Sequence, residues 1–78
     1  MPREKRVRTI PIAPLDRLIR RTGIDRVSES AAIELGSVLE EIGMEIANRA
    51  RELSEHAGRK TITDSDIRLA YTQWKRRH

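Results

Sequence analysis

The stretch His56 to Asp66, HAGRKTITDSD, holds residue types that could do chemistry. Gly58 followed by Arg59, Lys60 and Thr61 has the composition of a loop that grips nucleotide phosphates, and His56 with Asp66 could supply acid–base work. The spacing argues against both. A phosphate-binding loop needs G-x-x-x-x-G-K-[ST] after a strand, because its glycines let successive backbone N–H groups wrap the phosphates. Here Arg59 separates Gly58 from Lys60, Leu53 stands where the first glycine should be, and a helical pattern precedes the loop. His56 and Asp66 have no nucleophile partner, and so short a chain has little room for a cleft. Two histidines without cysteine make no metal constellation. We therefore expect no catalytic residue, no cofactor and no metal. Gly58 reads as the left-handed stop of a helix, and His56 as a structural group near that helix's C-terminus.

Three helical patterns must position this loop. In PIAPLDRLIRRTG, Leu15, Leu18 and Ile19 share one face, with Pro14 near the first turn and Gly23 as the stop. Arg17, Arg20 and Arg21 fall opposite them at about 100° per residue. After GIDRV, Ser28 is a candidate N-cap for a proline-free pattern from Glu29 to about Ala57. A third pattern opens at TITDSD, where Thr63 and Asp66 form an acidic variant of a capping box. Ile67, Ala70, Tyr71 and Trp74 follow as an apolar face, with Trp74 expected in the core. The β-favouring pairs Arg26–Val27 and Thr61–Ile62 could make a tiny ladder between loops but no sheet.

The middle pattern carries one long stripe: Ala31, Leu35, Val38, Leu39, Ile42, Ile46, Ala50, Leu53 and Ala57 lie within about 60° of Leu35. Such a helix is roughly 43 Å long, whereas a compact chain of this size has a radius of gyration of about 11 to 12 Å. Two short flanking helices cannot cover the stripe, and wet it would be an interaction patch. The geometry thus predicts an obligate dimer with Leu35, Leu39, Ile42 and Ile46 in its core. Gly36 and Gly43 inside this helix read either as close approach of another backbone or as tolerated flank positions.

Composition narrows the class. The 78 residues make one small domain without a disulfide framework, in which oligomerisation is the available staple. Residues 1–10, with Arg3, Lys5, Arg6 and Arg8 against Glu4, read as a disordered basic arm, and residues 11–78 as the folded domain. No apolar run spans a bilayer and no signal peptide is apparent, so the chain is expected to be cytoplasmic. Charge is segregated: the long helix holds seven acids and two arginines, leaving 14 of the 16 cations and five of the 12 acids elsewhere. That arrangement points to a polyanionic partner met by loops and helix ends.

Taken together, PIAP before the first helix, RVS opening the second and HAGRKTI with D-I after it resemble an archaeal histone over essentially all of residues 11–76. The resemblance implies an all-α histone fold of short, long and short helices, forming a head-to-tail handshake dimer. It implies that Arg26 and Val27 of one chain lie beside Lys60, Thr61 and Ile62 of the other, and that these loop pairs grip DNA where the minor groove faces the protein. Arg17 resembles the arginine inserted into that groove, braced by Thr61; Arg20, Arg26, Arg59 and Lys60 match DNA-contacting positions. Leu53, His56, Asp66 and Leu69 match the patch that joins dimers, His56 pairing with Asp66 of the next dimer, while Arg59 resembles the partner of Asp66 in its own chain.

Double-stranded DNA and a second copy of the chain are thus the expected partners, with a paralogous histone as a further one, no membrane, and association with the chromosome in the nucleoid. The chain departs from its family in three places: the basic arm, Ser37 and Met44 on the outer face where stacking relatives often carry charges, and Trp74 where phenylalanine is frequent. The alternative function is a histone-fold subunit of a transcription complex pairing with a different chain. A coiled-coil adaptor for acidic proteins is the competing reading from another class.

Overall fold

The computed structural model describes residues 9–78, in which three helices and no strand occur. They are α1 (Ile12–Arg20), α2 (Glu29–His56) and α3 (Asp64–Arg76). The expected basic arm lies largely outside the described residues. The chain divides into two compact units, residues 1–41 and 42–78, with α2 contributing to each.

In the first unit, α1 starts after Pro11, whose extended backbone (φ −64°, ψ 156°) precedes the helix without a side-chain cap. Leu15 is buried, and its Cδ1 lies 2.8 Å from where a Cβ on Gly36 would stand. The close approach at Gly36 is thus made by a side chain of α1, not by another backbone. Gly43, in the second unit, has nothing within 4 Å of such a Cβ. Gly23 ends the turn after α1 at φ 100°, in the left-handed region where a side chain is strained. Ser28 then caps α2, its Oγ accepting the Ala31 N–H at 3.0 Å. Ahead of α1, the Thr9 and Ile10 N–H groups both donate to Glu40 Oε2, at 2.6 and 3.1 Å.

In the second unit, Gly58 takes φ 76° and stops α2. Thr63 and Asp66 form the complete reciprocal capping box at the start of α3. Trp74 departs from the expectation of a core residue. It is half-buried, its indole N–H donates to Glu45 Oε1 at 2.8 Å, and its ring stacks on His78 with centroids 4.2 Å apart. The reason lies in indole itself, an apolar body with one obligatory donor that is satisfied at the wet edge of a helix pair. Arg49 Nε donating to Gln73 Oε1 at 2.7 Å adds a second polar tie between α2 and α3.

Each unit packs on small residues. Ala32 and Gly36, buried in the first unit, lie about 60° and 100° around α2 from Leu35; Ala50 and Ser54, buried in the second unit, stand at the same angles from Leu53. The large apolar side chains are therefore left beside the packing, not inside it. Among the described residues the buried apolar set is Leu15, Ala32, Ala50 and Ala70, three of the four being alanine. Leu35, Leu39, Ile42, Ile46 and Leu53 are half-buried, while Val38, Ile67 and Leu69 are 41%, 41% and 47% exposed.

Candidate nucleic-acid interface

Cations are positioned differently in the two loops. In the first unit, the Arg20 side chain is committed to the chain itself: Nε donates to Asp16 Oδ2 at 2.8 Å and Nη1 to the Asp25 carbonyl at 2.8 Å. Arg20 thus bridges the last turn of α1 to the loop that follows, an i,i+4 pair extended by a backbone contact. Arg17 and Arg26 are exposed and have no ion-pair partner among the described residues. Arg17 also lines an open, mostly apolar groove of about 650 Å³ with Ile10, Pro14, Leu15, Leu18 and Leu39.

The loop between α2 and α3 is built from the inside out. Asp66 is 6% exposed and bonded through both oxygens: Oδ1 accepts from Arg59 Nη2 at 2.9 Å, and Oδ2 accepts from Arg59 Nη1 at 2.9 Å, the Thr63 N–H at 2.9 Å and Thr63 Oγ1 at 3.1 Å. The fork-to-fork Arg59 pair is the stronger kind of charge-assisted contact. That pair, followed by the Thr63 N–H, holds the Asp66 carboxyl far below the ordinary carboxylate range, and Asp66 in turn raises Arg59. Arg59 Nη1 also donates to the Thr61 carbonyl at 3.1 Å. Lys60 and Thr61 project from this braced frame as exposed residues, and Lys60 has no ion-pair partner among the described residues.

Of the candidate DNA contacts, the structure gathers Arg59, Lys60 and Thr61 in one loop of the second unit, and Arg17, Arg20 and Arg26 at the end of α1 and in the following loop of the first. His56 is exposed on the last turn of α2; Leu53 is half-buried and Leu69 exposed. His56 makes no hydrogen bond or ion pair with Asp66 of its own chain, whose bonds go to Arg59 and Thr63. Sequence reasoning missed Ser54 and Glu40. Ser54 is 2% exposed and hydrogen-bonds into the second loop, whereas a lone serine on a helix flank ordinarily reads as solvent-facing. Glu40 looked like one more acid on a solvated face; its hold on Thr9 and Ile10 has no local pattern that announces it.

Three helices in short, long, short order, with exposed cations on the intervening loops, are the architecture the resemblance implied. Residues 8–71 match the family described as histone-like transcription factor (CBF/NF-Y) and archaeal histone. The chain belongs to this family. A subunit of the archaeal histone HAN1 from Thermococcus zilligii is 54% identical over 61 residues, covering 78% of this chain and 91% of that one. Probable archaeal histone 3 of Methanocaldococcus jannaschii is 41% identical over the same share of each chain. This archaeal histone is accordingly a histone-fold, DNA-binding chromatin protein of a non-enzymatic family. No helix among its described residues is long and apolar enough to cross a membrane.

Proposed function

We propose that this histone forms a homodimer that wraps and compacts double-stranded DNA in the nucleoid with little sequence preference, and that dimers join into tetramers or longer arrays. The observation that carries the reading is the unfinished core. One leucine and three alanines are the buried apolar residues among those described, while half-buried leucines and isoleucines run along both halves of α2. A chain of this size buries only roughly 60% of its unfolded surface even when well packed, and a domain without cysteine needs another staple. A second copy supplies it by covering Leu35, Leu39, Ile42 and Ile46.

On that dimer, Arg17 enters the minor groove, Arg20, Arg26, Arg59 and Lys60 meet the DNA backbone, and Thr61 braces Arg17. Of these, Arg17, Arg26 and Lys60 suit counterion release best, since no carboxylate among the described residues neutralises them. Leu53, His56, Asp66 and Leu69 form the patch between dimers. Asp66 Oδ1 carries one intrachain bond and Oδ2 three, so Oδ1 is the oxygen with capacity for His56 of the next dimer. The Thermococcus zilligii relative is named as one subunit of its histone, which supports a second reading, in which a paralogous histone-fold chain takes the place of the second copy.

Nuclease digestion of the protein–DNA complex tests the proposal. Protected fragments should lengthen in regular steps, and His56→Ala should end the series at its shortest members while leaving the dimer intact. Uniform digestion without discrete fragments would exclude wrapping, and a chain that is monomeric alone in equilibrium ultracentrifugation would favour the paralogue.

A further inference from the structure

Ser54 sits near the end of α2 with its hydroxyl turned into the following loop. Oγ donates to the Thr61 carbonyl at 2.8 Å and lies 3.3 Å from the Arg59 carbonyl. The Ser54 carbonyl accepts the Arg59 N–H at 3.0 Å, so the loop is tied to this residue through three atoms of its own backbone. No peptide bond among the described residues is cis. In a trans peptide the C=O of one residue and the N–H of the next point in opposite directions across the same plane. Drawing the Arg59 and Thr61 carbonyls toward Ser54 therefore turns the N–H groups of Lys60 and Ile62 the other way. Both residues are exposed, and neither N–H has an acceptor among the described residues. An anionic oxygen outside the loop would meet two backbone donors and the Lys60 ammonium within three consecutive residues, a donor set suited to a phosphate.

We propose that Ser54 is a positioning residue for DNA binding: its buried hydroxyl gives its single proton chiefly to the Thr61 carbonyl and shares it with the Arg59 carbonyl, keeping both inward, so that the Lys60 and Ile62 amides face outward as phosphate donors. The inference rests on the DNA-contacting role given to this loop above. Alanine at position 54 would leave the Thr61 carbonyl with Arg59 Nη1 and the Arg59 carbonyl without its side-chain donor. The peptide between Arg59 and Lys60 could then rotate, carrying the Lys60 N–H away from the phosphate.

The test is equilibrium binding of the full chain to a mixed-sequence duplex across a salt series, for the unsubstituted protein, Ser54→Ala and Lys60→Ala, with helical content checked at the assay temperature. Ser54→Ala should bind about five- to tenfold more weakly at every salt concentration, roughly the effect of one or two hydrogen bonds. Its line should run parallel to that of the unsubstituted protein, because a neutral N–H releases no counterion, whereas Lys60→Ala should flatten the slope. A folded Ser54→Ala variant that binds within about twofold of the unsubstituted protein overturns the role of Ser54. Should that variant fail to fold, amide hydrogen exchange in the unsubstituted chain decides: DNA must slow exchange at the Lys60 and Ile62 N–H groups, and unchanged exchange overturns the assignment. An unsubstituted protein that binds no DNA at all would instead remove the DNA-contacting reading on which this one stands.

Discussion

Asp66 shows how one residue can serve local order and assembly together. Its carboxylate bonds Arg59 and Thr63, which lowers its pKa well below the ordinary value of 3.8. A carboxylate with a depressed folded-state pKa stabilises the fold above its unfolded pKa and loses that contribution as pH falls through the folded value. The stability gap between the unsubstituted protein and Asp66→Asn should therefore be constant at neutral pH and narrow progressively below about pH 4. Denaturant melts at several pH values measure it, and a gap independent of pH down to acid would contradict the pairing. Among the cations, the structure separates residues that sequence alone treated alike. Arg20 is held by Asp16 and the Asp25 carbonyl, while Arg17 and Lys60 have no carboxylate partner among the described residues. Removal of Lys60 or Arg17 should lower the slope of log K against log salt by about one for each phosphate that is no longer neutralised. Arg20→Ala should change that slope less, since its charge is already offset by Asp16, and should chiefly loosen the turn after α1.

At the scale of the element, helix starts and stops were legible because they are local. Ser28 and Thr63 each satisfy a donor three residues ahead, and Gly58 supplies the left-handed residue that ends α2. Such signals need no knowledge of the rest of the chain. Gly36 was legible only as a question. Its answer is Leu15, whose Cδ1 would meet an added Cβ at 2.8 Å. Gly36→Ala should gain about 1 kcal/mol of helix propensity and lose about 1 to 3 kcal/mol to overpacking. Because Leu15 is buried and has little room to give, the thermal midpoint should fall, and a rise would show that the α1–α2 contact yields easily. Trp74 was misread for the opposite reason: its place on the apolar face was right, but the stripe does not reveal that Glu45 waits for its N–H.

For the whole molecule, the governing fact is the shortage of large buried side chains. If a second copy completes the core, folding is coupled to association and the thermal midpoint must rise with protein concentration. Scans over a hundredfold range should show that shift, and a midpoint independent of concentration would mean that the isolated chain is stable with its apolar stripe exposed. The family membership of residues 8–71 and the exposed cations make DNA the natural partner of the assembled form.

Helix order, caps and the segregation of charge could be read from the chain itself, because periodicity, capping and charge are properties of neighbours in sequence. The excess length of α2 over any 78-residue globule was readable too, being a matter of counting. Which residues are buried was readable only in part: Leu15, Ala50 and Ala70 lay on expected apolar faces, but Ala32, Gly36 and Ser54 did not. The stripe centred on Leu35 pointed to its large side chains, but the helices of one chain pack on Ala32, Gly36, Ala50 and Ser54, where small residues permit close approach. Only tertiary structure could decide that, since burial depends on what another helix brings to a face. It also decided which cations are engaged and why the loop at Lys60 has its shape, for these depend on Asp16, Ser54 and Asp66 acting across turns of the chain.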